Sequence, residues 1–161
     1  MHAAYRANTC VDEDGDIMVP PEVIAKIPKS VNVCHWDYRC VPDESYRKNF
    51  KLHKSFKKPV WYAGSSNSQL ELFPATTEAL KGIRLGLDTA KIYGIQNVIN
   101  CLWSENGSEC SKFSALPGIV YFAYKTMNKS MEEVKADFRA LTGANFDDFV
   151  SLDIPRTVTG K

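Results

Sequence analysis

Charge of one sign is missing from this 161-residue chain, where 20 Lys and Arg stand against 19 Asp and Glu for a formal net of +1. The electrostatic footprint of a nucleic-acid binder is therefore absent, and no nucleic-acid partner is expected. Two short basic clusters, Lys51-Leu52-His53-Lys54 and Lys57-Lys58, lie close to acidic neighbours and read as a solvated helix face rather than a phosphate-binding patch. Also missing is any uncharged apolar run long enough to cross a bilayer, and Met1-His2-Ala3-Ala4-Tyr5-Arg6 lacks the apolar core of a signal peptide. Neither membrane insertion nor export is expected.

The five cysteines, at positions 10, 34, 40, 101 and 110, are odd in number and contain no close Cys-x-x-Cys pair. That argues against a disulfide framework and against a structural zinc site, and reduced thiols in a cytoplasm fit best. Cys34 and Cys101 fall in strand-like apolar runs and read as small hydrophobes. Cys110 as a nucleophile would need a base that the sequence does not place. Asp12-Glu13-Asp14-Gly15-Asp16 resembles part of a calcium loop, but the twelfth position that should be Glu falls at Ile24 or its neighbours. No metal and no cofactor is expected.

What the chain does have is one domain's worth of residues with 44% apolar content, enough for a core. Residues 1–21 read as a leading loop closed by Pro20-Pro21, with a brief helix over Glu22 to Ile27. Val31 to Asp37 alternates like a strand and ends in Trp36-Asp37-Tyr38. Pro42-Asp43-Glu44 opens a helix to about Phe56, with His53 on its core face read as packed rather than ligating. Pro59 to Gly64 is a third strand-like run, in which at most one of Trp61 and Tyr62 can face a substrate, because neighbours along a strand point to opposite sides. Thr76-Thr77-Glu78 starts a helix that Gly94 stops, and helices over Phe113 to Thr126 and Ser130 to Leu141 follow, the last capped by Gly143. The residues after Phe149 show no pattern that could close a domain.

Strand, helix, strand, helix, strand with short connections is the pattern of βαβ units, so the fold class is α/β with parallel strands. A complete (β/α)8 barrel takes roughly 250 residues. Three repeats fit a partial TIM barrel, its last three or so units, with a separately folded three-layer α/β domain as the competing architecture. The segment Asn97-Val98-Ile99-Asn100-Cys101-Leu102-Trp103-Ser104-Glu105 carries most of the chemistry. It reads as a strand buried on both faces that delivers an aromatic ring and a carboxylate just past its carboxyl end, where barrel enzymes place their sites. An aromatic plane suits the apolar face of a pyranose and a carboxylate accepts from its hydroxyls. A core tryptophan followed by a solvated acidic loop is the plainer account of the same residues.

Four segments in order then suggest a family: Ile27-Pro28-Lys29 through Trp36-Asp37-Tyr38; Lys58-Pro59-Val60 with Ala63-Gly64; Leu102 through Cys110; and Ala115-Leu116-Pro117-Gly118. Residues 22–153 resemble the later half of a glycoside hydrolase family 20 catalytic barrel, the β-N-acetylhexosaminidases, with 154–161 as a tail. The resemblance implies that Trp103 lines an acetamido pocket, that Glu105 binds sugar hydroxyls, and that Trp36, Asp37 and Tyr38 form a wall of the subsite. It implies a substrate class of glycans ending in N-acetylhexosamine and a substrate-assisted retaining mechanism. The Asp-Glu pair that such a mechanism uses belongs to the fourth barrel strand. Asp12-Glu13 lies in a loop and Asp43-Glu44 opens a helix, so no catalytic residue is assigned to this chain. Glu109 reads either as a residue fixing the loop or, more simply, as an acid near a helix amino end. A self-contained pair of Glu105 and Glu109 is a further alternative, since retaining glycosidases hold two carboxyl groups about 5–5.5 Å apart. A partial barrel leaves sheet edges uncovered, so self-association is expected, and a non-catalytic carbohydrate-binding or structural remnant is the other reading of the whole.

Overall fold

Short apolar and aromatic runs bounded by turn residues form the strands, and stretches with apolar residues three and four apart form the helices. The computed structural model describes residues 10–11, 16–38, 41–66, 72–103 and 110–155. An antiparallel two-residue ladder, β1 (Cys10–Val11) with β2 (Ile17–Met18), precedes the short helix α1 (Pro21–Ile24). Then come β3 (Val33–Trp36), α2 (Asp43–Ser55), β4 (Val60–Ser65), α3 (Thr76–Ile92) and β5 (Asn97–Cys101). A 3-10 turn (Lys112–Ala115) leads into α4 (Leu116–Thr126), α5 (Met131–Thr142) and α6 (Phe146–Ser151). The chain is a mixed α/β fold whose three main strands make one parallel sheet in the order β3-β4-β5.

Register decides which residues meet the helices. His35, Tyr62 and Val98 lie in one row across the sheet, and Val33 pairs with Val60. Val60 and Tyr62 are buried there, with Val33 and Val98 packed against them, under Tyr46 and Phe50 of α2, Ile83 and Leu87 of α3, and Phe122 of α4. Val134, Phe138 and Phe146 extend the same cluster to α5 and α6. Close approach needs small residues at two points. Tyr62 passes over Gly86 of α3, where a Cβ would overlap the phenol, and a Cβ on Gly118 would lie 2.6 Å from the Ser66 carbonyl oxygen. A smaller cluster of Val19, Leu52 and Phe56 holds Val23 and Ile24 of α1 to α2.

Helix ends follow the expected chemistry in part. Ser130 and Glu133 form a reciprocal capping box at the start of α5, and left-handed Gly143 (φ 72°) closes it, as left-handed Gly94 (φ 64°) closes α3. The start of α3 differs from expectation. Its flanking residues supply no side-chain cap; instead the Thr77 amide donates 2.9 Å to Oδ2 of Asp153, a buried carboxylate 76 positions downstream. Before Phe149 the chain starts α6, with Asn145 accepting from the Asp147 amide at 2.8 Å, and the stretch after Phe149, expected to be patternless, holds the last turn of that helix and a cap for another.

Other boundaries shift too. The leading segment read as loop contains the β1–β2 ladder, and the helix expected from Phe113 begins at Leu116 after a 3-10 turn, with a proline in its first turn. Larger in consequence is β5. Expected to be covered on both faces, it is an edge strand of the described sheet whose Ile99 is 40% exposed, because the helices of the main core pack on the other side. Cys34 on β3, read as a small hydrophobe, lies on that same open side and is exposed.

Candidate functional site

Alternation along the strands puts Cys34, Trp36, Trp61, Ala63, Ser65, Ile99 and Cys101 on the open face. Trp36 pairs with Ala63, and Ala63 with Ile99, so the central position of that row carries only a methyl group. Side chains from the two flanking strands can therefore close over β4. Ala63 is only 4% exposed even though it lies on the face away from the helices of the main core.

The rings that meet there come from β3 and from just past β5. Trp36 and Trp103 stack with centroids 6.1 Å apart and planes inclined by 29°. Tyr38 packs edge-on to Trp36 at 5.4 Å and tilted against Trp103 at 6.0 Å. Offset stacking and edge contacts are the arrangements aromatic quadrupoles favour. Trp36 remains 61% exposed, so the cluster offers an aromatic surface at the carboxyl rim of the sheet. Burial first, and then a side-chain hydrogen bond with Cys101, push the Tyr38 phenol up to about 12, with contacts to Trp103 and Trp36 opposing. Tyr38 is thus a neutral hydroxyl at any physiological pH. The Cys34 thiol is also raised, by burial and then by Cys101.

Backbone and hydroxyl contacts fix the rim beneath these rings. The Asp37 amide donates to the Ala63 carbonyl at 3.3 Å and the Ser66 amide to the Cys101 carbonyl at 3.1 Å. Ser65 Oγ donates to that same Cys101 carbonyl at 3.1 Å, and Ser66 Oγ to Asn100 Oδ1 at 2.7 Å. Both serines are buried, so strand ends β4 and β5 are locked together.

Of the residues singled out from sequence, Trp36, Tyr38 and Trp103 converge, and Asp37 stands half-buried between the first two in the chain. Glu105 and Glu109 lie outside the described residues, as do Asp12 and Glu13. Trp61 is half-buried on the open face, whereas Tyr62 is buried under the helices. Asp43 is engaged elsewhere: its carboxylate binds Arg47 Nε at 2.7 Å and accepts from Thr89 Oγ1 at 2.8 Å, tying α2 to α3. His53 packs on the core side, its Nδ1 2.7 Å from the Asn49 carbonyl oxygen. Cys110 Sγ shares a 2.8 Å hydrogen bond with Ser114 Oγ, with no base in that contact. The sequence placed Ala63, Cys101 and His35 in strand-like runs without assigning any of them to a face, although a strict two-residue period would have done so.

Among the described residues no group of three or more His, Cys, Asp or Glu side chains could hold a metal ion. No described helix is long and apolar enough to cross a membrane. A cavity of about 380 Å³ lies at the other end of the sheet, between the carboxyl ends of α3 and α4. Its lysines are engaged, Lys125 with Asp88 at 2.7 Å and Lys91 with Asn128 at 2.7 Å. No family model matches the chain, and no curated protein matches it.

Proposed function

We propose that this chain is part of a glycoside hydrolase family 20 barrel, a β-N-acetylhexosaminidase, and that it supplies sugar-contacting side chains at the carboxyl rim of the last three or so strands of a TIM barrel. The observation that carries this reading is the convergence of Trp36, Tyr38 and Trp103 from non-adjacent strands of one parallel sheet into a single aromatic cluster. Rings of this kind stack on the apolar face of a hexose, and Asp37 and Glu105 are the carboxylates placed by sequence to accept from its hydroxyls. The terminal sugar of the glycan is the part recognised, and no residue of this chain is assigned to proton transfer or to orienting the acetamido group.

In this reading the open sheet face is the inner wall of the barrel. Left uncovered, that wall and the edges of β3 and β5, unpaired among the described residues, promote self-association. Calorimetric titration with N-acetylglucosamine tests the reading: weak binding that is lost in Trp103→Ala supports it, and no binding sinks it. A nitrophenyl N-acetylglucosaminide assay on the same protein is expected to show no release. Nitrophenol release abolished by Glu105→Ala would mean that the chain holds its own catalytic acid.

A further inference from the structure

We propose that His35 is a positioning residue for the aromatic rim: neutral and packed between β3 and α2, it holds the strand end that carries Trp36, Asp37 and Tyr38, and a proton on it releases that end. Its functional meaning rests on the carbohydrate reading above, but its geometry does not. His35 is only 6% exposed. Its ring centroid lies 5.0 Å from Phe50, 5.3 Å from His53, 6.0 Å from Tyr46 and 6.2 Å from Tyr62. Within this aromatic box its Nε2 is buried with no hydrogen-bond partner among the described residues. A neutral imidazole tolerates such a site far better than an imidazolium, whose charge would lose its hydration and whose Nε2 proton would find no acceptor.

Among the described residues, these titratable groups face His35. α2 supplies Tyr46 and His53, β4 supplies Tyr62, and its own strand supplies Asp37, the one acid among them. His53 bridges the same two elements, with Nδ1 on the Asn49 carbonyl and a backbone hydrogen bond to Cys34 of β3. Burial and then His53 pull His35 down to about 4, against Asp37. Because side chains alternate along a strand, the ring at 35 held under the helices is what directs the indole at 36 to the open face. Expelling the first must displace the second.

The stacked pair of Trp36 and Trp103 gives a direct readout, an exciton couplet in circular dichroism that Trp36→Phe should erase. Acidifying the ligand-free protein from about pH 7.5 to about pH 4.5 should raise the ratio of released to docked rim by about 100-fold. The couplet should fade while the far-ultraviolet helix signal persists. His35→Phe should keep the couplet throughout. His53→Gln should move its loss to lower pH, because removing the neighbouring imidazole brings the docked His35 closer to its free proton affinity and weakens the drive to release. Should His35→Phe not fold, the direction of the His53→Gln shift decides. The proposal is overturned if the couplet of the unaltered protein survives to the acid end, if either variant loses it at the unaltered pH, or if it vanishes together with the helix signal. N-acetylglucosamine titration alongside separates the two readings: no binding with a titrating couplet sinks the carbohydrate role alone, and binding with an unmoved couplet sinks the positioning role alone.

Discussion

The two faces of the central sheet differ more than any two other parts of this molecule. One carries Val60 and Tyr62 under three helices and is dense with fully buried rings. The other carries Trp36, Ile99 and Cys34, all exposed, with Ala63 buried between the flanking strands. The same strands build both, one residue apart. The difference teaches that in this sheet core packing and exposure are allotted to alternate positions of a strand, so a change at one residue and a change at the next should have unrelated consequences.

Paired substitutions break or sharpen that contrast most strongly. Phe50 is fully buried on the helix side, and Phe50→Ala should cost about 4 kcal/mol of folding stability in urea denaturation. Trp36→Ala, at a residue 61% exposed, should cost under about 1 kcal/mol while abolishing whatever sugar binding the protein shows. Equal losses of stability would mean that the open face is a second core rather than a rim.

Acid tests the closed face at His35. The folded protein holds His35 near 4 by burial and by His53, against 6.5 when free. Between those values the unfolded chain binds the proton and the folded one does not, so stability is present above about pH 6.5 and falls as pH drops toward 4. The loss should reach at most roughly 3 kcal/mol, and less once release of the rim lets the folded protein take up the same proton. Urea midpoints measured across the range in the native protein and in His35→Phe check it. A slope that His35→Phe leaves unchanged would assign the acid sensitivity to other groups.

How much of this was legible in the sequence follows from the range of each interaction. Gly94 and Gly143 as helix stops, Ser130 as the start of a helix and the three strands were readable because each is settled within a few residues. Trp36, Tyr38 and Trp103 could be proposed as partners only through an assumed parallel sheet, and their contact needed the register that sets Ala63 between the flanking strands. The exposure of Ile99 and Cys34 was not readable, since a continuous apolar run looks the same whether a second layer exists or not. Nor was the aromatic box of His35, whose walls come from residues 46, 50, 53 and 62.

Asp153 is the clearest case of a long-range contact hidden in a featureless stretch. Thr76-Thr77-Glu78 looks like a self-capped helix start, yet the Thr77 amide is satisfied by a carboxylate brought back from beyond α6. An acid at that point also meets the positive end of the 17-residue α3. Asp153→Ala should therefore cost about 1 kcal/mol, the usual worth of a cap, and Asp153→Asn, which keeps the acceptor, only a few tenths. Both are much smaller than the core substitution because they touch a helix end rather than the closed face. Thermal denaturation of the two variants side by side checks the ordering. If Asn were as damaging as Ala, the charge rather than the hydrogen bond would be what holds the end of the chain to α3.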